Sequence, residues 1–263
     1  MSPHAGAPRS ALLAAWGSAW LAGEASLPDL LDRVSAADDE HTVAGLADEP
    51  LPLEKAVARL RTDGTVRLRV VLPAPGDALG LPAPGPFTAA ALAASEGVLA
   101  LRPDGTGRGL VPAVTAHGSP FDGTVTTVCW TAYDAERVGP EPGPFLHDAE
   151  HDLRRGVVTT ARVLSDLDVA RWRPEAAAAL RELRLQPGAG IDDDELPGCF
   201  DSRARELLVQ ARRLGGVLHL AAQDAGAAVD SHGTTQREAA LRELAGQVRR
   251  ARVAAYNSFG ATG

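Results

Sequence analysis

Gly139-Pro140-Glu141-Pro142-Gly143-Pro144 divides the 263-residue chain into two patterns. Proline has no N–H to donate and fixes φ, and glycine loses the most backbone entropy on ordering. The run therefore suits neither a helix interior nor a central strand. Before it, short apolar runs stand between compact turns; after it, apolar residues return at steps of three and four. The reading is α+β. An N-terminal mixed β-sheet of about five strands with flanking helices occupies residues 1–140. An all-helical C-terminal region with a long antiparallel helical hairpin occupies 141–263, either separate or packed on the first part as one unit.

Upstream of the joint, Thr124–Tyr133 is rich in Thr and Val and reads as a strand. Gly97–Leu101 and Arg108–Ala116 flank Pro103-Asp104-Gly105-Thr106-Gly107, a turn sequence that predicts a hairpin. Phe87–Ser95 is a short Ala-rich helix. Earlier, His41–Leu46 reads as a strand, Leu53–Arg61 as a helix with Leu53, Ala56, Val57 and Leu60 on one face, and Thr65–Leu72 as a strand with Val66, Leu68 and Val70 facing one way. This strand–helix–strand order is compatible with a parallel pair. Two helices open the chain. One runs from about Ser10 to Gly23 with Trp16 and Trp20 on one face. The other starts at Ser26, where Ser26-x-x-Asp29 has capping-box spacing and Leu27, Leu30, Leu31 and Val34 form the apolar face.

Downstream, Pro144 opens a helix to about Trp172 with the stripe Leu146, Ala149, Leu153, Val157, Ala161 and Leu164. Residues 174–185 form a short helix, and Pro187–Gly198 a loop bearing Asp192-Asp193-Asp194-Glu195, read as an exposed acidic turn. Asp201 then caps a helix whose Leu207, Ala211, Leu214, Leu218, Ala221 and Ala225 keep a seven-residue repeat. After a turn at Asp230–Thr234, Thr235-x-x-Glu238 starts a helix carrying Leu241, Leu244, Val248, Ala251 and Ala255.

Lys55, Ile191 and Asn257 are the sole representatives of their types, which points to a high-GC bacterial genome. The net charge of −8 is uneven. Residues 1–150 hold 10 basic and 19 acidic side chains, whereas the remainder holds 16 and 15. An acidic surface repels phosphate backbones, so nucleic-acid binding is excluded as a general role. No apolar stretch is long enough to span a membrane. Ala11–Ala22 has the length of a secretion-signal core, but only Arg9 precedes it as a firm positive charge and Trp16, Gly17, Ser18 and Trp20 interrupt it. It reads as a core helix of a cytoplasmic protein, with a signal at 1–25 as the alternative. Cys129 and Cys199 have no metal-knuckle or redox spacing, and Cys129, between Val128 and Trp130, reads as a buried thiol.

Two places carry residue types suited to chemistry. His147-Asp148-Ala149-Glu150-His151 sets two imidazoles at i and i+4 with Glu150 between them, a spacing that can chelate a metal. The order is not His-Glu-x-x-His, and Arg154-Arg155 one turn on disfavours a cation, so a solvated flank is the competing reading. The Pro- and Gly-rich loop over 75–86 leaves the end of a strand, where open α/β sheets bind ligands, and offers Gly76 and Asp77. Pro82, Pro84 and Pro86 have no N–H for a phosphate, and the loop matches no nucleotide fingerprint, so Asp77 also reads as a turn residue. Ser18 and Ser119 each follow glycine outside any nucleophile elbow. With no catalytic motif and no cofactor signature, the chain reads as a binding or scaffolding protein whose helical region mediates self-association or partner docking. The alternative is a ligand binder or enzyme at the 75–86 loop or at His147 and His151.

Overall fold

The computed structural model describes residues 7–78, 80–119, 123–135, 138, 145–166, 195–223 and 231–260. The helix read at 174–185, Asp192–Asp194 and Ala225 lie outside them. The chain is mixed α+β and forms two compact units; among the described residues, one holds the strands and the four helices that precede residue 95, and the other holds three later helices.

The first unit begins with α1 (Arg9–Ala22) and α2 (Leu27–Ser35), followed by β1 (Glu40–Ala44), β2 (Leu51–Pro52), α3 (Leu53–Thr62), β3 (Arg67–Val71) and α4 (Pro86–Ala94). It ends with β4 (Gly97–Leu101), β5 (Gly107–Ser119) and β6 (Gly123–Ala135). The sheet has six strands in the order β2-β1-β6-β5-β4-β3, not five. The additional one, β2, is two residues long, too short to show a period of two. The strand–helix–strand segment does not make neighbours. β1 and β3 lie apart, and β1 instead runs parallel to β6, with His41 opposite Val128 and Val43 opposite Trp130. The Asp104-Gly105 turn does join β4 to β5 as an antiparallel hairpin, and Asp104 accepts from Thr106 N at 2.9 Å.

Alternation along the strands separates two faces. On one, Val71, Leu99 and Val111 pack with Phe87 and Ala91 of α4. The Phe87 ring lies over Gly97 and Gly109, and a Cβ at Gly109 would overlap the ring. On the other, Leu68 lies beneath Gly17 of α1. The buried line Leu53, Ala56, Val57 and Leu60 on α3 matches its predicted stripe. Ser26 caps α2, accepting from Asp29 N at 3.2 Å and donating to the Asp29 carboxylate at 2.6 Å. The same alternation corrects Cys129: Val128 and Trp130 point inward, so the thiol between them is exposed. Val66 precedes β3 and is 55% exposed.

α1 also closes a sheet edge. Ser18 Oγ donates to Leu68 O at 2.8 Å and accepts from Leu68 N at 3.0 Å, so one side chain supplies both bonds that another strand would make to this residue of β3. Trp16 and Trp20 sit at the margin of α1, beneath the guanidinium groups of Arg33 and Arg61 at 5.8 and 5.1 Å from the ring centroids. Glu195, expected in an exposed acidic turn, is buried, and Phe200 stacks on Phe259 with centroids 5.4 Å apart.

The second unit contains α5 (Leu146–Asp166), α6 (Ser202–Gln223) and α7 (Ser231–Asn257). Its core unites Ala149 and Leu153 with Leu207, Ala211, Leu244, Val248 and Ala251. Thr235 lies inside α7 and does not begin it. The α5 stripe rotates after Leu153: Gly156 and Thr160 are buried, while Ala161 is exposed.

Two substitutions test these contacts by urea unfolding. Ser18→Ala leaves buried main-chain groups of Leu68 unpaired and should cost about 1–3 kcal/mol. Gly109→Ala should cost about 1–3 kcal/mol by displacing Phe87. Wild-type stability in either variant would remove the corresponding role.

Candidate functional site

Arg9, Asp38 and His41, each with a shifted titration, form a buried network with Trp130. Arg9 opens α1, Asp38 lies between α2 and β1, His41 is on β1 and Trp130 is on β6. Arg9 Nε and Nη2 donate to the two oxygens of Asp38 at 2.6 and 2.5 Å. His41 Nε2 lies 3.0 Å from Asp38 Oδ2, and the Trp130 indole N–H donates to His41 Nδ1 at 3.2 Å. An indole nitrogen only donates, so Nδ1 accepts and the imidazole proton sits on Nε2, directed at Asp38. The Asp38 side chain is 0% exposed and that of His41 is 1%.

Burial pushes the Asp38 carboxyl upward, but the hydrogen bonds from Arg9 and His41, with the charge of Arg9, together hold it below its ordinary value. Burial pulls the His41 pKa down from 6.5, against the opposing pull of Asp38. The hydrogen bond to Asp38 raises that of Arg9. Both imidazole nitrogens and both carboxylate oxygens are therefore engaged, leaving no group to exchange a proton with a substrate. The network is a clamp joining α1, β1 and β6. Its members lie far apart in sequence, and the local signals, a leading Arg9 and an acidic run at Asp38-Asp39-Glu40, do not reveal it.

The loop and helix candidates are placed differently. Ala74 and Asp77 exchange main-chain hydrogen bonds at 3.0 and 2.9 Å around Pro75-Gly76, and Gly76 has φ of 80°. Gly76 and Asp77 thus form a tight turn with proline first and glycine at the positive φ. His147 and His151 are exposed on α5, and the Glu150 carboxylate accepts from Arg203 Nη2 at 3.1 Å. Among the described residues, no group of three or more His, Cys, Asp or Glu side chains stands close enough to hold a metal ion. Ser18, weighed as a nucleophile, is engaged with β3.

The second unit contains an open groove of about 600 Å³ between α5 and α7, lined by Gly156, Thr159, Thr160, Ala239, Ala240 and Gln247 among others. Small side chains bring the two helices close: Thr160 Oγ1 lies 3.5 Å from Ala240 O, and a Cβ at Gly156 would overlap Gln247. The Gln247 side-chain oxygen is buried without a donor among the described residues. Arg155 and Glu243 also line the groove, giving it both charges. The rotated α5 stripe was the sequence signal for this surface, through glycine and threonine where larger apolar residues were expected.

The clamp makes a pH-dependent prediction. Unfolded, His41 takes a proton near 6.5, whereas folded it takes one only at lower pH. Its contribution to stability is therefore full above about pH 6.5 and drains as pH falls below that value. The Tm gap between wild type and His41→Gln should narrow from pH 7 to pH 5; a gap independent of pH would contradict a neutral buried imidazole. Asp38→Asn, which removes the buried charge paired with Arg9, should cost about 3–5 kcal/mol at pH 7.

Comparison with known proteins covers both units. The family model for Rv1486c-like protein, N-terminal domain, matches residues 10–144, and the model for Rv1486c-like protein, C-terminal domain, matches 147–253. Among relatives, Uncharacterized protein Rv1486c of Mycobacterium tuberculosis is 30% identical over 287 residues, covering 95% of this chain and 96% of that protein. Uncharacterized protein ML1804 of Mycobacterium leprae is 29% identical with the same coverage, and Uncharacterized protein MAV321 of Mycobacterium avium is 34% identical over 59% of this chain and 60% of that protein. No solved structure matches the chain. Among the described residues, no helix is long and apolar enough to cross a membrane. With both family models matched in chain order and a relative aligned along 95% of the sequence, the chain belongs to the Rv1486c-like family.

Proposed function

We propose that this chain is a cytoplasmic binding or scaffolding protein whose C-terminal helical unit docks a partner protein helix in the groove between α5 and α7. The observation carrying this reading is the groove itself, about 600 Å³, its lining including the small side chains Thr159, Thr160, Ala239 and Ala240 and the bare backbone of Gly156. A helix laid in a groove is read through apolar anchors one turn apart, and small residues let two helix backbones approach closely. The walls are stiffened if α6 and α7 form an antiparallel hairpin. Arg237 Nη2 on α7 donates to Ala221 O of α6 at 2.9 Å, and Gly215, earlier on α6, faces Val248, later on α7, which supports that arrangement. The exposed Cys129 thiol suits a reducing compartment.

The test is a photo-crosslinking residue in place of Ala239, read in the native cell. The expected product is an adduct with one partner protein, mapped to a helical peptide. Ala240→Arg, placed in the groove, should reduce it by about tenfold, the effect of losing roughly 1.4 kcal/mol of binding. No adduct, or one indifferent to Ala240→Arg in a normally folded protein, would end this reading.

A further inference from the structure

We propose that β5 beyond Leu110 pairs edge to edge, antiparallel, with the same segment of a second copy of the chain. β5 and β6 pair along thirteen positions, from Gly107 opposite Ala135 to Ser119 opposite Gly123. β4 accompanies β5 only as far as Val98 opposite Leu110, and no described strand pairs with its outer edge from Val111 to Ser119. β1 backs β6 from Thr127 to Thr131, opposite Thr115 to Val111, so β5 is an edge strand of the sheet there. Beyond Ala116 the β5–β6 hairpin continues as two strands, a form that is marginal alone in water.

Hydrogen-bond phase gives the direction of the unpaired groups. Thr126 accepts from Asp39 N at 2.8 Å and donates its own N–H to the Asp39 carboxylate at 2.6 Å. Both of its main-chain groups thus point away from β5, so Thr126 and Ala116 opposite form a non-hydrogen-bonded pair. By alternation, Val114, Ala116 and Gly118 turn N–H and C=O to the outer edge, as Pro112 does its C=O. The core face also ends at this edge. Val114 and Val128 are opposite each other, yet Val128 is 1% exposed and Val114 is 42%.

The two terminal strands of the sheet each carry a local blunting device. Ser18 occupies both main-chain groups of Leu68 on β3, and β2 is two residues ending in Pro52. Proteins normally blunt a long edge with charge, proline or a covering element; Pro112 blunts the start of this edge, but Ala113–Ser119 and Thr124–Cys129 contain no Asp, Glu, Lys, Arg or Pro. That absence favours a second copy. The first 150 residues are strongly acidic, so identical molecules repel over most of this unit, but not along this strand. The free segment Val111–Ser119 is centred on Thr115. Full antiparallel overlap sets Thr115 opposite Thr115, Val114 opposite Ala116, and Pro112, which has no N–H to offer, opposite Gly118. Outward-facing residues then meet outward-facing residues under a closed twofold, covering Val114.

Sedimentation of the full chain should show a dimer whose fraction rises over micromolar concentrations. Ala116→Pro removes one outward N–H at an edge position where proline fits the isolated strand, and should leave a folded monomer. Val114→Lys, which adds a charge beside the same edge, should act alike. In a Cys129→Ser, Cys199→Ser background, Thr115→Cys should form an intermolecular disulfide on mild oxidation, because a non-hydrogen-bonded pair brings its Cα atoms within disulfide range. A wild type that stays monomeric, or a dimer surviving both edge variants, overturns the proposal. In the second outcome the helical groove remains testable by its own crosslink.

Discussion

Asp38 carries its charge with its side chain fully buried. Its carboxylate is supported by the Arg9 guanidinium on one side and the His41 imidazole on the other, and His41 is held in turn by the Trp130 indole. Burying an isolated carboxylate would be prohibitive, so these partners must arrive together. Their arrival places the start of α1, the entry into β1 and the centre of β6 in one arrangement. The next residue, Asp39, binds both main-chain groups of Thr126 and extends the same connection along β6.

Once α1 is fixed at its start, its later turns close the margin of β3. Ser18 bonds to the strand as another strand would, but ends the sheet instead of extending it. The helix can approach because its buried side is made of small residues, including Ala11, Ala14, Ala15 and Ala19. At the opposite margin the sheet ends because β2 is short. Main-chain pairing is thus governed by different devices at the two sides, and the free edge of β5 has neither.

Much of this architecture was legible locally. The α3 stripe, the Ser26 cap and the Asp104-Gly105 hairpin depend on neighbours a few residues apart, and each forms. What was not legible depended on distant partners. Whether β1 pairs with β3 or β6 is decided by which side chains meet across the sheet, and no spacing in the segment encodes it. Cys129 was misplaced because an apolar run hides a period of two when its outward member is itself apolar. On α5 the apolar stripe pointed through Val157 and Ala161, but closeness to α7 favours Gly156 and Thr160, whose value lies in what they lack. The proposed sites at Gly76 and Asp77 and at His147, Glu150 and His151 were read from residue type alone; the neighbours that engage Asp77 in a turn and Glu150 with Arg203 become visible only in three dimensions.

The parallel pairing of β1 with β6 has a kinetic side. His41 and Trp130 are 89 residues apart, and the strand that completes β1 is the last strand of the unit. Closing so long a loop is entropically costly before any contact repays it, and contacts of high sequence separation slow folding. During synthesis, α1, α2 and β1 must emerge and wait for β6 before His41 gains its Trp130 partner and β1 its parallel neighbour. Until then β1 lacks its parallel neighbour, and an unpaired strand edge of this kind is where a folding chain is most open to mispairing.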